Sequence, residues 1–163
     1  MFHVLEHFEH PLHAIRTCAN WLKVGGRLVV EVPDVDYRGI SPQHRWHFEH
    51  LYNFNLKTLA ATGLKSGLRV VEANARPGKG NITAVFQKTA EVCLADEDAA
   101  NRCLQGSFFQ THQILSQHTV LRHYANLRLP LDRMAQKTVQ YSQEYLQLIS
   151  HPFRSYRQLL LNL

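Results

Sequence analysis

The chain has 163 residues, 45% of them hydrophobic, which is ordinary for a soluble globular protein and allows one compact unit with an appendage. Lys and Arg outnumber Asp and Glu by 18 to 13 for a formal charge of +5, but the basic residues are scattered singly, so a solvated surface accounts for them better than a nucleic-acid groove. The 3 cysteines, Cys18, Cys93 and Cys103, are widely spaced and form no CxxC pair, which argues against a disulfide framework or a cysteine zinc site and fits a reducing cytoplasm. The opening residues carry no charged leader with an apolar core, and no apolar run reaches the roughly 18 residues of a membrane span.

Met1 to Leu5 are apolar apart from His3 and stop at Glu6 and His7, as the buried end of a strand would, so the chain is expected to begin inside an element. Pro11 suits a first helical turn, Leu12, Ile15, Ala19 and Leu22 follow at helical spacing, and Gly25-Gly26 ends the element near Val24. Leu28, Val29, Val30 and Val32 form a β-branched run closed by Pro33 and Asp34, which predicts a strand beside residues 1–5 in a right-handed parallel crossover. Residues 34–54 have no clean period but are rich in aromatics and histidines, and loops of that length are usually functional or mobile.

Asn55 can cap a helix reaching about Ser66, with Leu56, Leu59, Ala60 and Leu64 inward and Gly67 just past its end. Leu68 to Ala73 and Ile82 to Phe86 read as two strands joined by a turn-rich connector, hence an antiparallel hairpin. Beyond Lys88 only helical patterns remain: a weak one from Phe108 to Ala125, and apolar stripes from Leu131 to Ile149 and Phe153 to Leu163. The division is an α/β part over residues 1–88 and a helical extension over 89–163. The tetrapeptide His-Phe-Glu-His occurs at residues 7–10 and 47–50, too short an echo to mark a structural repeat.

Val4-Leu5-Glu6-His7, then Pro11, then the run from Trp21 to Pro33 with its Leu22-Lys23-Val24-Gly25-Gly26 turn, resemble the fourth strand, following helix and fifth strand of class I S-adenosylmethionine-dependent methyltransferases. His50-Leu51, Phe54, Thr58-Leu59 and Gly67-Leu68-Arg69-Val70-Val71 are similar to that family's later segments, and the resemblance covers about residues 1–88. It implies a partial Rossmann-like fold, strands four to seven in a mixed sheet with an antiparallel last strand, and transfer of a methyl group from S-adenosyl-L-methionine to a small-molecule or glycan-linked acceptor. In that family the end of the fourth strand runs beside the cofactor, so the resemblance implies contacts from Val4, Leu5 and Glu6 and makes His7 and His50 the candidate catalytic bases, in keeping with ligands of open α/β sheets lying outside the strands' carboxyl ends. Glu6 and His7 could equally cap the helix at Pro11, and His47 joins His50 only if the loop folds over the site.

The family's glycine-rich turn and ribose-binding acid have no counterpart here. The single Gly-x-Gly, Gly78-Lys79-Gly80, precedes no helix and reads as a hairpin turn. The expectation is therefore a truncated product that binds the cofactor weakly when alone. Two other readings compete. His3-Val4-Leu5-Glu6-His7 matches the H-x-x-E-H zinc-hydrolase motif, with Glu72 downstream, but its histidines share a face only on a helix, so no metal site is assigned. The C-terminal stripes also offer a non-catalytic interaction module or a homodimer contact, although such stripes are more often packed internally.

Overall fold

The computed structural model describes residues 1–76, 78–90, 96–125, 138, 139, 142 and 143. The chain divides into two compact units, Met1–His123 and Tyr124–Leu163. Three strands, β1 (Arg27–Pro33), β2 (Arg69–Arg76) and β3 (Asn81–Gln87), form a sheet in the order β1-β3-β2, antiparallel throughout. The helices bounded within the described residues are α1 (Pro11–Trp21), α2 (Leu56–Lys65), α3 (Glu97–Leu104), α4 (Ser107–Gln117) and α5 (Val120–Ala125). Among the described residues no helix is long and apolar enough to cross a membrane.

The antiparallel last strand is present as expected, with Ile82 opposite Val32, Ala84 opposite Val30 and Phe86 opposite Leu28. These directly opposed residues share one face of the sheet. Val30, Val32, Ile82, Ala84 and Phe86 join Leu5, Ile15, Ala19, Leu59 and Leu68 in the core, so α1 and α2 bury their apolar stripes against this face. α2 comes so close that a Cβ on Gly63 would lie 2.0 Å from a Phe86 ring carbon. The capping expected of Asn55 is fully formed, because its side chain accepts from the Thr58 amide while its own amide donates to the Thr58 hydroxyl. Its remaining side-chain donors reach Ser107 Oγ and Thr111 Oγ1, both at 2.8 Å, which ties α4 to the start of α2.

The expected first strand is corrected in extent. Phe2 makes one parallel bridge to Glu31 on the edge of β1 not used by β3, with the His3 amide donating to the Glu31 carbonyl and the Glu31 amide to the Met1 carbonyl, each at 2.9 Å. His3 then adopts φ 51°, a left-handed conformation that ends extended backbone, and Leu5–His7 form a single 3-10 turn. The parallel direction holds, but a strand over residues 1–5 does not. α1 likewise stops at Trp21 because Leu22 is already extended.

The glycine pair after α1 is stitched to the end of β3. The Gly25 amide donates to the Lys88 carbonyl at 2.8 Å, the Lys88 amide to the Gly26 carbonyl at 3.0 Å, and Lys88 Nζ to the Ala19 carbonyl at 2.9 Å. Gly78 and Gly80 have φ of 76° and 70° in the β2–β3 turn, where the Gly78 carbonyl accepts from the Tyr37 hydroxyl and a Cβ on Gly80 would meet the Tyr37 ring. That Gly-x-Gly is a packed hairpin turn, as its context indicated.

α3 was not foreseen, and the weak helix expected from Phe108 to Ala125 is two helices separated at His118 and Thr119. Thr138, Val139, Ser142 and Gln143 are helical, with Ser142 Oγ donating to the Thr138 carbonyl. The remainder of the apolar stripes at Leu131 to Ile149 and Phe153 to Leu163 lies outside the described residues.

Candidate functional site

The turn at Leu5–His7 gathers the residues that the sequence singled out. The Glu6 carbonyl accepts the amides of Leu51 at 2.9 Å and Tyr52 at 3.2 Å, and the Tyr52 hydroxyl donates to the Glu9 carbonyl at 3.0 Å. The histidine-rich segment of the long loop is thereby clamped onto this turn, satisfying backbone groups that neither segment could pair by itself. His7 and His50 lie ring edge to ring face with centroids 4.9 Å apart, and His47 is 4.8 Å from His50. The two copies of His-Phe-Glu-His are thus neighbours without being a repeat.

The tautomer of His7 follows from its partner. His7 Nδ1 lies 2.9 Å from the Glu49 carbonyl, which can only accept, so Nδ1 carries the proton and Nε2 keeps its lone pair when the ring is neutral. That Nε2 lies 3.9 Å from Glu6 Oε1. Burial, with His7 and His47 beside it, holds His50 below the ordinary imidazole value against the opposing pull of Glu6. The ring is accordingly neutral at physiological pH.

Glu6 is the unusual member. Its residue is 1% exposed, and neither carboxylate oxygen has a hydrogen-bond partner. His3 Nδ1 at 3.7 Å and His7 Nε2 at 3.9 Å are the imidazole nitrogens nearest Oε1, both beyond hydrogen-bond reach. His3 also faces a second carboxylate. Its Nε2 lies 3.5 Å from Glu31 Oε1, and Glu31 in addition accepts from Thr83 Oγ1 at 3.0 Å and Asn81 Nδ2 at 3.4 Å and pairs with Arg76 Nε at 3.4 Å. Desolvation pushes Glu31 upward, but Thr83, Arg76 and His3 together bring its carboxyl below the ordinary glutamate value.

The three residues proposed for cofactor contact fare differently. Val4 is exposed, whereas Leu5 is wholly buried in the core and Glu6 is buried against the histidines. His7 also borders a cleft of about 690 Å³ lined by Phe8, Ala14, Cys18 and Trp21, with Trp21 79% exposed on its rim. Sequence reasoning missed Tyr52 and the carbonyl of Glu49, which fix the loop and His7; their contacts span 43 and 42 residues, and only the His-Phe-Glu-His echo hinted that the segments meet. The H-x-x-E-H pairing of His3 with His7, set aside in the sequence because it needs a helix, is not formed: His3 at φ 51° lies outside the 3-10 turn that carries His7.

No curated protein matches the chain. A family model described as a methyltransferase domain matches residues 1–73, the span from the Phe2 bridge through the clamped histidine loop and α2 into β2. Residues 1–73, just under half of the chain, are thus similar to a methyltransferase domain.

Proposed function

We propose that the chain serves S-adenosylmethionine-dependent methyl transfer to a small-molecule or glycan-linked acceptor, in the cytoplasm, with Val4 to His7 forming one wall of the cofactor site. The observation that carries this reading is the coincidence of the methyltransferase match over residues 1–73 with a 3-10 turn that holds Glu6 and His7 against His50. The order of the Phe2 bridge, β1, β3 and β2, with β3 antiparallel, supports assigning them to the last four strands of a seven-stranded methyltransferase sheet. The cofactor, when bound, supplies an already activated methyl group. The protein's work is then positioning, with a base where the acceptor requires one. His7 suits that role, since the Glu49 carbonyl fixes Nδ1–H and leaves Nε2 to take the proton; His50, held below the ordinary imidazole value by burial, stands beside it.

A glycine-rich turn would add several hydrogen bonds to the cofactor, each contributing on the order of 1 kcal/mol net. This chain has no such turn, so by itself it should bind weakly, each lost 1.4 kcal/mol weakening affinity about tenfold. Weak binding is best followed by amide chemical shifts. Millimolar S-adenosylmethionine should move the signals of Val4 to His7, and methionine alone should not. Shifts centred on the Gly78–Gly80 turn, or none at all, would remove the cofactor assignment.

A further inference from the structure

The geometry points to a divalent transition-metal site formed by Glu6, His7 and His50. Their ligand atoms, one carboxylate oxygen and two imidazole nitrogens, all lie within 4.8 Å of one another. Two imidazoles and a carboxylate are a donor set suited to zinc and its first-row neighbours, and three protein ligands leave positions open for water or an acceptor oxygen.

Two features beyond proximity support the assignment. Glu6 is 1% exposed with neither oxygen hydrogen-bonded, and a carboxyl group stripped of water without a hydrogen bond is costly unless something else satisfies it. Separately, His7 already has the arrangement usual in metal-bound histidines: one ring nitrogen is committed to a backbone carbonyl, which fixes the ring and presents the other as a free lone pair. That free nitrogen is the one 3.9 Å from Glu6 Oε1. Donors on a tetrahedral zinc lie about 3.4 Å apart, so the cluster must contract by about 1.4 Å at its widest. The half-buried His50 ring, on the loop clamped through Leu51 and Tyr52, is placed to move inward while Glu6 stays fixed.

This site differs from the H-x-x-E-H reading, which paired His7 with His3 and assumed a helix. The fold replaces His3 with a histidine 43 positions after His7 in sequence. The site stands apart from methyl transfer as well. An imidazole that holds the ion has no lone pair for an acceptor's proton, so cation binding and base catalysis by the same ring exclude each other.

The test is calorimetric titration of the untagged, chelator-treated full chain with zinc alone, supported by the visible spectrum of the cobalt form. One equivalent should bind, with cobalt bands characteristic of tetrahedral nitrogen and oxygen coordination. His50→Ala should weaken binding on the order of a hundredfold, as should Glu6→Gln, while His10→Ala and His13→Ala should leave it unchanged. His50 lies in the loop and not in the core, so circular dichroism of His50→Ala should show the native fold; that variant decides the matter even if Glu6→Gln fails to fold. Absence of a one-equivalent site, or binding that survives His50→Ala, would overturn the proposal and assign the affinity to scattered surface histidines. Cofactor-induced shifts at Val4 to His7 are read without zinc, so either reading can fail alone.

Discussion

Two buried glutamates, Glu6 and Glu31, stand on either side of His3 and meet opposite fates. Glu31 projects from a regular strand and finds Thr83, Asn81 and Arg76 on the neighbouring strands, because an antiparallel register places Thr83 directly opposite it. Glu6 sits on a 3-10 turn, where no ladder supplies partners, and its backbone carbonyl, not its side chain, takes the hydrogen bonds of the histidine loop. Regular structure satisfies a carboxylate as a by-product of register. An irregular turn leaves one unsatisfied, and an unsatisfied buried carboxylate is retained where its chemistry is used.

The sharpest test of the contrast replaces Glu6 with an apolar residue of similar length. Glu6→Met should raise stability by about 1–3 kcal/mol, seen as a higher midpoint in urea, because it removes desolvated oxygens that bond to nothing. A loss of stability would mean that Glu6 is satisfied by His3 and His7 and that the two glutamates are alike. Glu31→Gln should act in the opposite direction, costing about 1–2 kcal/mol as the charge-assisted bonds from Thr83 and Arg76 weaken.

Acid unfolding sharpens the comparison further. A carboxyl held below its ordinary value in the folded state stabilises the protein above the unfolded value and loses that contribution as pH falls through the folded one. For Glu31 the loss therefore develops below about pH 4.5, the value from which it is lowered. Glu31→Gln should flatten stability against pH in that window, and a slope identical to the parent's would show that the cluster adds nothing. The smallest effect is expected at the clamp. Tyr52→Phe removes one exposed hydrogen bond to the Glu9 carbonyl, so global stability should fall by only about 0.5–1 kcal/mol. Amide exchange at Leu51 and Tyr52 should quicken nonetheless.

What could be read in the sequence was what local chemistry decides. Pro11 opens α1, Asn55 and Thr58 box the start of α2, and the β-branched run gives β1, because capping and alternation act within a few residues. α3 escaped notice because its apolar positions before Leu104 are small, Ala99, Ala100 and Cys103, although Asp96 caps its first turn and Glu97 and Asp98 follow. The first strand was overextended because nothing local announces that His3, a non-glycine residue, takes a left-handed conformation. His7 and His50 were named from the sequence, but their meeting depends on hydrogen bonds to the Glu6 carbonyl from residues 45 and 46 positions later. No periodicity encodes that. The burial of Glu6 was equally hidden, since it follows from the turn and not from strand alternation.

The stitch between Gly25-Gly26 and Lys88 orders events during folding. The Gly25 amide bonds a carbonyl 63 residues away, so the segment between them forms a closed loop whose ends meet only when β3 has docked on β1. Closing a loop of that size loses chain entropy that grows with the logarithm of its length, and the reward comes only with the long-range pairing itself. α1 and the β2–β3 hairpin can form early from their own signals. The Phe2 bridge needs β1 as its template, and the histidine loop needs the Leu5–His7 turn that follows that bridge. On this ordering the cluster of Glu6, His7 and His50 is among the last features to assemble. A ligand that gathers those three side chains would then slow unfolding much more than it hastens folding.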